Sequence, residues 1–213
     1  MVPTGLRKPT QSRSEETLKR ILQAGTSLVA ERSYDDVTIM DISTRAQISV
    51  GGFYARFQNK EALLNALQQK LAEETQSELT AALSQDWTAK RLSDLIDTVV
   101  AGNAALYEKY RGVLQAVHLK TRVLQDSDEL NEVAKYNEVL VRQLEDLLLK
   151  KRDEINHRHP KVAIRVAVAC MSSMLRDAIV FQQSALYPKP ADRRTITRSV
   201  AQVMHQYLVG ASS

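Results

Sequence analysis

The stretch ISVGGFYARFQNK, residues 48–60, places two adjacent glycines, Gly51 and Gly52, beside one phenol hydroxyl, Tyr54, and one guanidinium, Arg56. Both flanks read as helix, where each glycine costs about 1 kcal/mol relative to alanine, so the pair needs a return. At the helical advance per residue, Val50, Phe53 and Phe57 fall on one side and Gly51, Gly52 and Ala55 on the other, with Tyr54 and Arg56 at the shoulders. A face of bare main chain between a hydroxyl and a guanidinium can approach another surface closely. The major groove of B-DNA admits a helix of this size, and phosphates suit the N–H groups at a helix N-terminus. The competing reading is a plain turn at Gly51-Gly52, with a separate helix beginning at Phe53. A nucleotide-binding glycine loop does not fit, because no strand precedes it and no lysine follows at P-loop spacing.

The remaining residues offer little reactive chemistry. No nucleophile adjoins a base, no paired carboxylates share an apolar face and no metal-ligand spacing occurs, so no enzyme, catalytic residue, metal or cofactor is expected. His157 and His159 share a loop without a third ligand, and Trp87 reads as interhelical packing. The single cysteine, Cys170, excludes an internal disulfide framework and a Cys-rich zinc site, and reads as a small core residue. Two amides stand in apolar stripes: Asn103 among Leu92, Leu95, Ile96, Val99, Leu106 and Tyr107, and Asn137 among Leu130, Val133, Ala134, Leu140, Val141, Leu144 and Leu148. A buried amide needs a partner, which backbone, water, the other amide or a ligand can supply. Tyr107 and His118 adjoin the same stripes, which makes Asn103, Tyr107, His118 and Asn137 the candidates for lining a small-molecule cavity.

The elements that must hold these residues are all helical. The chain has 213 residues, 44% of them hydrophobic, with only 7 Gly and 5 Pro, which is ample for a core and sparse for turns. Apolar residues recur at spacings of three and four throughout, with no alternating strand pattern. A first helix is predicted over about 14–32, with a stripe of Leu18, Ile21, Leu22, Gly25, Leu28 and Val29. Thr38 with Asp41 opens a second, to about Ala46, and Val37 can staple onto Ile42. Ser49 caps a third, with Ile48 able to staple onto Phe53, and Asn59 caps a fourth from Lys60 to about Ser84. Two short helices about three residues apart, after a long one, match a helix-turn-helix. Further helices are expected at roughly 89–109, 111–123, 128–156, 160–186 and 192–209.

Charge discriminates weakly. The net charge of +4 is spread evenly, with 9 Lys/Arg against 7 Asp/Glu in residues 1–65 and 20 against 18 in the remainder. Arg7, Lys8 and Arg13 precede the first acidic residue, which suits a basic arm over 1–13 or an inconsequential terminus. The start has no apolar signal region. The most apolar window, 162–181, carries Arg165, Arg176 and Asp177, too many charges for a membrane span. That eighth helix is apolar on nearly all sides and needs two covers: its own chain and a second copy, or its own chain alone.

The stretch TLKRILQAGTSLVAERSYDDVTIMDISTRAQISVGGFYARFQNKEALLNAL resembles the DNA-binding domain of the tetracycline-repressor (TetR) family over about residues 14–67. The resemblance rests on the Thr38 cap, the helix spacing, the S-x-G-x-x-Y pattern, Phe57 and K-E-x-L, in order. It implies an all-α protein: a helix-turn-helix DNA-binding domain over 14–67 and a ligand-sensing and dimerisation domain over 68–213. By that likeness Ser49, Gly51, Gly52, Tyr54 and Arg56 lie at the DNA, Thr38 and Lys60 neighbour phosphates, and Arg45 is a further candidate. The implied protein is a cytoplasmic homodimeric repressor, joined through helices at about 160–186 and 192–209. It binds a near-palindromic operator and is released by an unidentified small molecule; the alternative is control by a protein partner or by abundance. Ser33 and Gln47 replace glycines of the family where a left-handed backbone is expected. Gly52 and Val50 also replace larger or basic residues, which leaves fewer side chains to read bases and more to DNA shape.

Overall fold

The computed structural model describes residues 10–123, 128–182 and 192–210, and holds no strand among them. The chain divides between Lys70 and Leu71 into two compact units, each all-α. The first carries the helix-turn-helix and the second is a helical domain. Of the expected basic arm, residues 1–9 lie outside the described part, and helix begins at Thr10.

In the first unit, α1 (Thr10–Glu31), α2 (Ile39–Arg45), α3 (Val50–Tyr54) and the start of α4 (Lys60–Ser84) enclose one core. Ile21, Leu28, Val37, Ile42, Phe53, Leu64 and Leu67 are among its buried members. Leu18, predicted in the stripe of α1, stays exposed, because the seam begins one turn later at Ile21. Gly25 lets α1 close on α4: a Cβ there would stand 3.3 Å from both Leu63 and Leu67. The helix starts follow the expected caps. Thr38 and Asp41 form a complete capping box, the Ser49 hydroxyl accepts from the Gly52 N–H, and Asn59 accepts from the Ala62 N–H at 2.8 Å.

Gln47 adopts the left-handed conformation, with φ at 55°. The Ile48 N–H then reaches the Ser43 carbonyl and the Gln47 N–H the Thr44 carbonyl, the paired bonds of a Schellman termination. Ser33 does not share that conformation. Its hydroxyl instead accepts from the Asp35 N–H, and its carbonyl from the Asp36 N–H, in an ordinary turn.

The second unit packs the rest of α4 with α5 (Leu92–Lys109), α6 (Arg111–Val123), α7 (Asp128–Leu149), α8 (Pro160–Leu175) and α9 (Arg193–Val209). Trp87 is buried, and its indole donates to the Ala82 carbonyl at 2.8 Å. α7 stops at Leu149 instead of continuing to 156. Lys151 turns inward to the Thr88 carbonyl, and a 3-10 turn over Arg152–Glu154 lets Glu154 accept the Leu92 N–H at the start of α5. α8 passes into a π-helical turn, Arg176–Phe181, that ends at Gln182 in the left-handed region.

Cys170 is exposed, not a core residue. α8 turns Ala163, Ile164, Ala167, Val168, Met171 and Leu175 inward and leaves Val162, Val166 and Cys170 on the outer side. Among the described residues no helix is long and apolar enough to cross a membrane. Among the described residues one acid is buried: Glu145 of α7, 4% exposed, meets Arg165 at 2.7 Å and Lys161 at 3.5 Å.

Two outcomes follow from these local structures. Gln47→Gly should raise the unfolding free energy by about 1 kcal/mol, since only the non-glycine residue is strained there; a lower denaturation midpoint would contradict it. The Arg165 hydrogen bond holds the Glu145 carboxyl below its ordinary 4.5, so its contribution is complete above that pH and is lost as pH falls through the folded value. Glu145→Gln should therefore cost stability at pH 7 and progressively less below pH 4.5, as read by chemical denaturation across that range.

Candidate nucleic-acid interface

α3 is too short to stand alone, and its position is set from both ends. The Schellman turn at Gln47 delivers Ser49 as its N-cap. Behind it Phe53 is fully buried, with Phe57 at 5.5 Å between ring centroids. The glycines lie within the helix, so a plain turn at Gly51-Gly52 is excluded.

With Phe53 turned in, the opposite face is open. A Cβ on Gly51 would meet only the Ser49 hydroxyl, at 3.9 Å. Gly52 is half-buried, and its Cβ would stand 3.4 Å from that hydroxyl and 3.6 Å from Ile48. Tyr54 is 54% exposed, with its ring edge against Phe53, and Ala55 is exposed beside it. Arg56 folds back to donate to the Gly52 carbonyl at 3.2 Å, which keeps its guanidinium at the rim of this face.

The other candidate cations are engaged within the unit. Arg45 forms a two-point pair with Glu31 at 2.8 and 2.9 Å, and the bond from Arg45 lowers the Glu31 carboxyl. The Lys60 ammonium donates to the carbonyls of Tyr34, Asp35 and Val37, at 2.9, 3.3 and 3.0 Å. Three donors thus meet three acceptors, and the phosphate that the sequence resemblance implies beside Lys60 would compete with them. Thr38 is likewise committed: its hydroxyl donates to Asp41 at 2.7 Å and accepts the Asp41 N–H at 3.1 Å. Asp41, hydrogen-bonded by Thr38 and then by Arg32, has its carboxyl pulled down to about 2.

The four small-molecule candidates separate in the second unit. The Asn103 amide, half-buried, donates to the Val99 carbonyl of its own helix at 2.9 Å. Tyr107 is half-buried, and burial pushes its phenol up while Ser172 and Arg176 nearby oppose that. The His118 ring lies 4.9 Å from Phe181. Tyr107 and His118 therefore both face the end of α8 and its π-helical turn. Asn137 is exposed, contrary to its placement in the stripe. The inward row of α7 runs through Tyr136, Leu140 and Leu144, and Asn137 sits one residue, or 100°, away from it. Gln115, which donates to the Val180 carbonyl at 2.5 Å, was not singled out from the sequence. That carbonyl is presented by the π-helical turn, which leaves no sequence signal.

The comparisons with known proteins concern the helix-turn-helix region and the fold. Residues 21–67 match the bacterial regulatory proteins of the tetR family. The HTH-type transcriptional regulator YwcC of Bacillus subtilis (strain 168) is 30% identical over 96 residues, 40% of this chain and 43% of that protein. YvdT, an HTH-type transcriptional regulator of the same strain, is 26% identical over 99 residues, 45% and 48% of the two chains. The matched region thus spans less than half of either relative. Among solved structures, NalD, the secondary repressor of the MexAB-OprM multidrug efflux pump in Pseudomonas aeruginosa, is 25% identical. It has a TM-score of 0.58 over 93% of this chain and 98% of its own. A TetR-family regulator from Mesorhizobium loti shares the fold at 16% identity, with a TM-score of 0.65 over 92% and 96%.

Because the Gly51 face is open, Gly51→Ala should raise stability by about 0.5–1 kcal/mol in chemical denaturation, the ordinary helix preference for alanine. A loss would show that the face is not free.

Proposed function

The chain belongs, through its first unit, to the tetR family of bacterial regulatory proteins, and from that premise we propose that it is a homodimeric repressor of transcription that binds a near-palindromic operator. The observation that carries the reading is the exposed main chain of α3 at Gly51, beside exposed Tyr54 and over buried Phe53. In this reading Ser49, Gly51, Gly52, Tyr54 and Arg56 lie in the major groove. Thr38 brings the first turn of α2 to the phosphate backbone, and Arg45 holds α2 on α1. Two copies of α3 would meet successive major-groove faces about 34 Å apart.

The second unit supplies the pairing surface. Val162 and Val166 of α8, at 60% and 42% exposure, and Val203 and Tyr207 of α9, at 46% and 39%, form an apolar face on two helices packed against each other. Contiguous exposed apolar surface on neighbouring helices is the mark of an interface. A small molecule seated near Asn103, Tyr107 and His118, beside the π-helical turn, would release the operator by binding the non-operator conformation better. That difference in affinity is what such control requires. Repression as the mode draws on the likeness to NalD, itself a repressor.

Tyr54→Ala and Arg56→Ala should each weaken binding to a selected duplex by roughly tenfold or more while the particle mass stays dimeric; unchanged affinity in both would take this face off the DNA. Gly51→Leu should lose affinity with little loss of stability. Val166→Glu and Val203→Glu should yield monomers by light scattering, with faster alkylation of Cys170 than in the parent. Retained dimers in both would move the interface elsewhere.

A further inference from the structure

α8 and α9 carry cations and no acid. Lys161 and Arg165 lie on α8, Arg193, Arg194 and Arg198 on α9, and neither helix holds an Asp or Glu. On α8, Arg165 follows Val162 by three residues, about 60° round the axis, so the cationic row flanks the exposed Val162 and Val166. Two copies pairing isologously through this face would present each of these cations twice, with nothing on either helix to oppose them. Like charges brought together at an interface cost affinity. The opposing charge comes from neighbouring helices instead. Buried Glu145 of α7 reaches Arg165 at 2.7 Å and Lys161 at 3.5 Å, and Glu108 of α5 reaches Arg193 at 2.9 Å. The side chains of Arg165 and Lys161 are 54% and 71% exposed, so burial does not fix their direction. The carboxylate does, because a buried charge needs its partners.

We propose that Glu145 is a positioning residue for the pairing of two copies: it holds Arg165 and Lys161 on the α7 side of α8, halves the charge of the row beside the apolar ridge, and so sets the strength and salt dependence of pairing. This inference rests on the reading of α8 and α9 as the pairing surface. One acid against two cations leaves the row one positive charge per copy, and without the acid it holds two. Charge and packing can be separated by salt, since only charge is screened.

The test measures the dimer dissociation constant of the full chain by sedimentation at about 10 mM and about 1 M salt, where charges are felt over about 30 Å and about 3 Å. A monomeric wild type, or intact dimers in both Val166→Glu and Val203→Glu, would remove the pairing surface and the proposal with it. Glu145→Gln should weaken pairing by about fivefold to tenfold at low salt and by less than about twofold at high salt. No loss, or an equal loss at both salts, the mark of a purely structural role, would overturn the proposal. Glu16→Gln, exposed on α1, adds the same net charge in the first unit and should leave pairing unchanged; a loss equal to that of Glu145→Gln would overturn it too. Arg165→Met carries the opposite sign. Lys161 still meets Glu145 and the row becomes neutral, so pairing at low salt should match or exceed wild type, and Arg165→Met added to Glu145→Gln should return it to wild type. Weaker pairing in Arg165→Met, or a double variant weaker than Glu145→Gln, would overturn the proposal. Should Glu145→Gln not fold, Arg165→Met decides alone.

Discussion

The first unit depends on the burial of Phe53. A five-residue helix containing two glycines has no stability of its own, since nucleation is unfavourable and each glycine costs about 1 kcal/mol. Burying the rings of Phe53 and Phe57 contributes about 1.5–3 kcal/mol each, which offsets the glycines and leaves a margin. The same burial fixes the rotation of α3. With Phe53 inward, Gly51 and Ala55 have to face out, and Tyr54 is carried to the rim with its ring edge on Phe53. The aromatic anchor and the bare face are thus two consequences of one packing decision.

Charge plays a smaller part than the basic residues imply. Arg32 is paired with Asp41, Arg45 with Glu31, Lys60 with three carbonyls, and Arg56 donates to the Gly52 carbonyl. The exposed pairs of Arg32 and Arg45 add little stability, but they neutralise two cations that would otherwise project a field, while the carbonyls hold Lys60 and Arg56 in place without cancelling their charge. For the proposed duplex contact, this places the weight on close approach of main chain and on the few side chains beside Gly51. It also fits a first unit whose sequence holds nearly as many acids as bases.

What the sequence made legible was local chemistry. The caps Thr38, Ser49 and Asn59 were readable because each needs only residues within a few positions, and α4 and α6 have the predicted bounds for the same reason. Rotation about a helix axis was less accessible, because it is set by neighbours distant in the chain. Asn137 and Cys170 were misplaced by this one cause: in each stripe an adjacent residue competed for the inward position and won. Lys60 shows the same limit. Its carbonyl acceptors come from residues 34–37, brought over it by tertiary packing, and are not readable from its type and place.

The outer side of α8 shows how one buried charge can shape a surface. Lys161 and Arg165 occupy one row of the helix and Val162, Val166 and Cys170 the next. Glu145, buried on α7, draws both cations to the α7 side, with Arg165 hydrogen-bonded to it at 2.7 Å. The adjacent row is left apolar, on a helix packed against α9, which exposes Val203 and Tyr207. With Arg165 more than half exposed, the pair is not a fully buried one and adds only modestly to holding α7 on α8. The ion pair adds direction: it commits two long cationic side chains away from the ridge on which a second copy is proposed to sit.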